Sequence, residues 1–292
     1  MTDSVEQRPW PIWVVSLSDA TERRSKIRAQ LDALGLAFSF LDAVDGRTRV
    51  PEEFQGQVDR PGTLANLGFP MGDAEYACAL SHQLAYKKIL DEGWPGAVIL
   101  EDDVLLTDNF RTFYEGRGYE AAPLIQLFYF DALVWKTKRR STAAARLERL
   151  ASNAWSTAAY SISAQGAATL RAEGLPLRGF ADWPCDTVRL VGHYVTDPRL
   201  VLHPDPAEFP SSVEDSRRGL IPDGFDFSSR YPRLWRRLLS AASWRRFLTR
   251  PLRQRRSPGF APTPQEAASL LRPPASGKSP APAEARVLEA AL

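Results

Sequence analysis

The chain has 292 residues, 44% of them apolar and 25% charged, so it is long enough to bury a core and too hydrophobic for wholesale disorder. Its two cysteines, Cys78 and Cys185, exclude a disulfide scaffold and a four-cysteine zinc site, and three histidines argue against a His-rich centre. The net charge of +2 hides an asymmetry: residues 227–256 hold ten arginines and no acid, residues 257–292 are balanced, and residues 1–226 carry −8.

In chain order, Met1 to Val15 has no basic start followed by an apolar run, so no signal peptide is expected. Ile12 to Leu17 is short, β-branched and aromatic, which predicts a strand. Asp19 with Glu22 predicts a helix start, Ile27, Leu31 and Leu34 recur at helical spacing, and Gly35 stops the helix. Ala37 to Leu41 is a second strand, ending at Asp42 and Asp45-Gly46. Residues 47–72, with Pro51, Pro61 and Pro70, read as a long loop, and 131–142 as a further loop. A helix over 73–92 leads to Ala97–Leu100, an apolar run suited to a strand buried on both faces, and this runs directly into Glu101-Asp102-Asp103. Strands over 124–130, 157–162 and 199–202 and a helix over 163–173 continue the alternation, which argues an open α/β sheet. Residues 227–256 read as a basic helical segment and 257–292 as a Pro/Ala-rich disordered tail, leaving 1–226 as the folded domain. No stretch approaches 18 uninterrupted apolar residues, so no spanning helix is expected and the location expected is cytoplasmic.

Three acids at the carboxyl end of a buried strand repel one another unless a cation or hydrogen-bond donors offset them. That edge is where open α/β sheets bind ligands, and hard oxygen ligands suit Mg²⁺ or Mn²⁺ shared with phosphates. The bland alternative is a solvated acidic turn. Arg23 and Arg24, in the first turns of the first helix, can hold a diphosphate or form an exposed cationic pair. Cys78, Ser81 and His82 share the central helix, where a small buried Cys and a hydrogen-bonded His are the commoner case. Asp182-Trp183-Pro184-Cys185-Asp186 offers a carboxylate beside an apolar ring as a general base, or a helix cap. No dinucleotide fingerprint, phosphate loop or nucleophile elbow is present.

Several of these pieces resemble one family. Ser18 to Arg24 after the first strand, Ala43-Val44-Asp45-Gly46, and the helix Glu75-Tyr76-Ala77-Cys78-Ala79-Leu80-Ser81-His82 are similar, in order, to family-25 glycosyltransferases of lipopolysaccharide biosynthesis. So are Leu100-Glu101-Asp102-Asp103-Val104, Tyr160 to Ala167, Asp182-Trp183 and Ser212 to Arg217. Ala77 stands where the family pattern has Gly, and the match near Asp182 is loose. The resemblance implies a GT-A-like fold, an open and mostly parallel nucleotide-binding sheet flanked by helices, with the basic tail appended. It implies transfer of a hexose, galactose favoured, from a UDP-sugar to a saccharide or lipid-linked saccharide acceptor, with inversion and with a DxD-like metal motif. Asp103 would be the ligand of a divalent metal, Mn²⁺ ahead of Mg²⁺, with Glu101 nearer the ribose and Asp102 holding the loop. Ser18, Arg23, Arg24, Asp42 and Asp45 would lie around the nucleotide, and Asp182, or failing it Asp186, would be the base.

The rivals are a nucleotidyltransferase, which would usually bring a Gly-rich loop near residue 18, and a non-catalytic scaffold, which would be expected to lose the acids at 101–103. Nucleic-acid binding is disfavoured because the body carrying −8 repels phosphate backbones. The apolar side of 227–256, with Trp235, Leu238 and Leu239 among its arginines, instead suits an anionic membrane surface on the cytoplasmic leaflet.

Overall fold

The computed structural model describes residues 8–204 and 250–271. Strand β1 (Ile12–Ser16), helix α1 (Thr21–Ala33) and strand β2 (Ser39–Asp42) form the expected opening unit, and β1 and β2 pair in parallel. Helix α1 begins without a side-chain cap; Asp19 pairs with Arg47 at 2.8 Å instead of capping. Residues 47–72 are not one loop. They hold a 3₁₀ turn (Glu52–Gln57) and helix α2 (Arg60–Leu67), whose Asp59 cap accepts the Gly62 N–H and whose end is Gly68 at φ 82°. Pro61 marks a helix start here, because a first-turn proline gives up no helical hydrogen bond.

Helix α3 (Asp73–Asp91), strands β3 (Gly96–Glu101) and β4 (Leu105–Leu106), helix α4 (Asp108–Glu115) and strand β5 (Leu124–Gln126) follow. Next come β6 (Ala132–Ser141), β7 (Arg146–Leu150), β8 (Ala159–Ser163), α5 (Ala164–Gly174) and α6 (Thr187–Leu190). The described chain ends with β9 (His193–Asp197), β10 (Val201–Leu202), β11 (Arg253–Arg256) and α7 (Pro264–Ala268). Nine strands form one sheet in the order β11-β6-β7-β9-β5-β8-β3-β1-β2, and β10 pairs with β4 apart from it. By their pairings β8, β7 and β11 oppose the other six, so the sheet is mostly parallel in strand direction. Because the reversed strands are interleaved, only β1–β2, β1–β3 and β5–β9 are parallel neighbours.

Both faces of the sheet are covered. Ile12, Val14, Val98 and Leu100 pack with Ile27 and Leu31 of α1 and Phe110 and Phe113 of α4. Trp13, Val15, Ala97 and Ile99 face the other way, onto Tyr86 and Ile89 of α3 and Leu170 of α5. Alternate residues bury on opposite sides, which is why these strands read as continuous apolar runs. Each fully buried Leu or Ile in these layers contributes about 1.5–3 kcal/mol of transfer free energy.

The carboxyl-terminal expectation needs correction where it can be compared. Residues 227–249 of the expected basic helix lie outside the described residues. Residues 250–256 form a 3₁₀ turn and then β11, antiparallel to β6, not a helix. Arg256 makes paired 2.9 Å bonds to the buried Glu148, and Arg255 holds Asp131 at 2.8 and 3.0 Å. The edge of β6 supplies backbone partners and the acids supply countercharge, and neither is adjacent in sequence. Residues 257–271 are folded rather than disordered: Phe260 stacks on Phe130, and Arg199 and Glu266 form a buried pair at 2.8 Å. The stretch 131–142, expected to be a loop, is mostly β6.

Candidate functional site

Strands β1, β2 and β3 run in parallel, so Ser16, Asp42 and Glu101 all stand at the same edge of the sheet. Beyond β3 the chain turns through Asp102 and Asp103. Asp102 is buried, accepts the Ser16 hydroxyl at 2.5 Å and lies 3.4 Å from the Arg23 guanidinium. Burial pushes its carboxyl above the ordinary range, and Ser16 and Arg23 only partly oppose this. The Asp103 carboxylate lies 3.3 Å from His203 Nε2. Burial would raise the Asp103 carboxyl, but His203 outweighs it and the net shift is downward. For His203 burial is likewise outweighed by Asp103, and its imidazole is pushed up to about 9. His203 follows β10 and carries no local motif, so sequence reading passed over it.

Glu101 faces the opposite wall. The Thr157 hydroxyl donates to it at 3.2 Å, and His82 Nε2 lies 3.4 Å away. Asp182 faces the same space and is pushed up to about 6, first by burial and then by the charge of Glu101, against hydrogen bonding by the Ser156 backbone and Thr157. Its neighbour Trp183 has φ 52° and is tied by its indole N–H to the Ala154 carbonyl at 2.7 Å, while Ser156 has φ 100°. Two non-glycine residues at positive φ beside one carboxylate hold that carboxylate in a set position at the cost of backbone strain.

The other expected residues separate. Arg24 donates to the Ser16 and Leu17 carbonyls at 2.9 Å each and pairs with Asp42, which stays largely exposed at the sheet edge. Asp45 is paired with Arg47 at 2.6 Å, and Ser18 is exposed in the turn after β1. Asp186 is exposed and caps α6, accepting the Arg189 N–H at 3.1 Å, so the capping role considered for Asp182 belongs to Asp186. Ser81 donates to the Ala77 carbonyl at 2.7 Å and accepts the Val44 N–H at 2.9 Å, pinning the loop after β2 to α3. Gly46 sits so close to α3 that a Cβ would fall 2.4 Å from the Asp73 carbonyl.

Two cavities flank the acids. One, of about 340 Å³, runs from Leu17 and Gly46 past Arg23 and Arg47 to the three acids. The other, of about 360 Å³, is walled by Phe130, Trp155, Phe180 and Phe260 and contains Asp182 and His203. Cys78 and Glu101 line both, so the cavities adjoin at those residues. Neither Ser18, Arg24, Asp42, Asp45 nor Asp186 lines either one. Asp103 Oδ1 is buried 3.3 Å from His203 Nε2, and a divalent cation taking oxygen and nitrogen ligands would replace the proton held between them.

A family model described as glycosyltransferase family 25 (LPS biosynthesis protein) matches residues 10–174. The lacto-N-neotetraose biosynthesis glycosyltransferase LgtB of Neisseria meningitidis serogroup A is 36% identical over 100 residues, 34% of each chain. LgtE of N. meningitidis serogroup B is 31% identical over 159 residues, 51% of this chain and 55% of the relative. A mouse protein described as inactive glycosyltransferase 25 family member 3 is 29% identical over 170 residues, 55% of this chain and 28% of the relative. The match thus spans about a third of the LgtB protein and about half of LgtE.

Proposed function

The chain belongs to glycosyltransferase family 25, and from that premise we propose that it transfers a hexose, galactose in the first instance, from a UDP-sugar to a saccharide acceptor of lipopolysaccharide type, with inversion. The observation that carries this reading is the pair of cavities adjoining at Glu101, one bringing Arg23 and Arg47 to the three acids at the sheet edge, the other aromatic and holding a carboxylate pushed up to about 6. A mouse relative described as inactive is among the matches; turnover is argued here from Glu101, Asp102 and Asp103 standing together at the cavities.

In this reading the donor occupies the cavity of Arg23 and Arg47, whose guanidinium groups offset diphosphate charge. Asp102, held by Ser16, fixes the turn that carries Asp103. Asp103 and His203 are the residues that would hold a divalent metal, Mn²⁺ favoured, which would neutralise charge on the departing nucleotide, while Glu101 lies nearer the ribose. The acceptor lies against the aromatic wall, where sugar C–H faces pack well, and presents a hydroxyl to Asp182. With its carboxyl at about 6, Asp182 is largely ionised at neutral pH yet basic enough to take that proton. Direct attack by the acceptor hydroxyl on the anomeric carbon, with Asp182 taking its proton and UDP leaving, would invert that carbon.

The test is a panel of UDP-sugars with and without Mn²⁺, reading UDP release and the anomer of the product. Metal-dependent release with one hexose, lost in Asp103→Asn, is expected; no binding or turnover of any UDP-sugar overturns the reading. Among the described residues no helix is long and apolar enough to cross a membrane. Attachment to an anionic leaflet through 227–256 remains a proposal from sequence for 227–249 alone.

A further inference from the structure

At the junction of the two cavities stands a group that the transfer reading does not use. His82 is 2% exposed, and its Nε2 is buried without a hydrogen-bond partner. His82 Nδ1 lies 2.9 Å from the Tyr160 hydroxyl, which in turn lies 3.2 Å from that of Tyr86. The ring is thereby oriented, and its Nε2 lies 3.4 Å from Glu101 Oε1. One helical turn earlier on α3 is Cys78, and the Cys78 sulfur, the His82 nitrogen and the Glu101 oxygen all lie within 4.8 Å of one another.

We propose that Cys78, His82 and Glu101 form a binding site for a thiophilic divalent cation of the Zn²⁺ class. Zinc bonds of about 2.0–2.3 Å put tetrahedral ligand atoms roughly 3.5 Å apart, so small side-chain rotations close the observed triangle. Nitrogen, sulfur and carboxylate are the ligand types zinc takes, and an Nδ1–H donated outward is the usual outer support of a ligating imidazole. Binding displaces the thiol proton to solvent, and the thiolate and carboxylate together neutralise the ion. The charges of Glu75, Asp103 and Asp182 act on the same spot and draw a cation in. Cys78 lines both cavities, which gives the ion an entry path and leaves a fourth position open to water. This centre is chemically distinct from the one at Asp103 and His203, which lacks sulfur and suits a harder ion.

Cobalt(II) added to the metal-stripped full chain tests the assignment without donor or acceptor, so its result is independent of whether the protein transfers sugar. A near-ultraviolet cobalt–thiolate charge-transfer band is expected, bleached by Zn²⁺, kept in Cys185→Ser and Asp103→Asn and lost in Cys78→Ser. A second measurement keeps Cys78 in place: in Cys185→Ser, saturating Zn²⁺ should slow alkylation of the remaining thiol about tenfold or more, because a metal-bound thiolate is masked. Absence of the band in the unmodified chain, its survival in Cys78→Ser, or an alkylation rate indifferent to Zn²⁺ overturns the proposal.

Discussion

Asp182 and Asp186 are four residues apart and chemically identical, yet their surroundings give them different work. Asp186 is exposed and satisfies the start of α6. Asp182 shares an enclosed space with Glu101, and its carboxyl rises to about 6 because burial and a like charge both disfavour ionisation. Asp182→Asn keeps the shape and removes the proton acceptor, so turnover should fall about 10²–10⁴-fold with UDP affinity little changed. Asp186→Asn keeps a competent cap and should leave turnover near that of the unaltered protein. Steady-state kinetics with nucleotide binding measured separately checks both variants, and equal losses in the two would refute the division of roles.

At the scale of elements, the segment 250–271 extends the sheet and then clasps it. Strand β11 adds an edge beside β6, and α7 brings Glu266 to Arg199, which is 1% exposed. Arg199 gives Glu266 two side-chain bonds of 2.8 and 2.9 Å and also reaches the carbonyls of Tyr129, Gly259 and Ala261. Burial tends to raise the Glu266 carboxyl, but Arg199 and the Thr263 N–H outweigh it, so the pair stays ionised. Glu266→Ala would strand a buried guanidinium, and the expected loss is about 3–5 kcal/mol of unfolding free energy. Arg199→Met with Glu266→Leu should recover much of that loss, because an apolar pair leaves no charge uncompensated. Chemical denaturation of the three chains decides it; a loss below about 1 kcal/mol in the single variant would mean the clasp opens without penalty.

For the whole molecule, folding stability should depend on pH through His193, which lies wholly inside on β9. Burial pushes its imidazole down to about 3, with Nδ1 on the Thr187 hydroxyl at 2.8 Å and Trp183 edge-on at 4.7 Å. Unfolded, the same group titrates near the ordinary value of 6.5. The unfolded chain therefore binds a proton that the native one refuses, and this contribution to stability is full above about 6.5 and declines as pH falls toward 3. Between pH 7 and 5 the loss assignable to His193 is about 2 kcal/mol, and His193→Gln should lack it. Parallel stability–pH profiles for the two proteins over that interval would refute the assignment.

The parts legible in the sequence were those whose cause is local. Alternating burial on both faces turns Ile12 to Ser16 and Gly96 to Glu101 into apolar runs, helical spacing marks α1 and α3, and chain adjacency alone puts Glu101, Asp102 and Asp103 at a strand end. Elements with weaker local signals, α2 and β6, were read as loops, since a first-turn proline or a run of exposed lysines and arginines suggests a break until a partner is seen. Which side chains are available for chemistry was decided only in three dimensions. Arg24 ties Asp42 to the end of β1, Arg255 and Arg256 go to Asp131 and Glu148 rather than to a helix surface, and His203 reaches Asp103 across 100 residues. A residue type states what a side chain can do; burial and the partners that folding brings from far along the chain determine whether it remains available to do it.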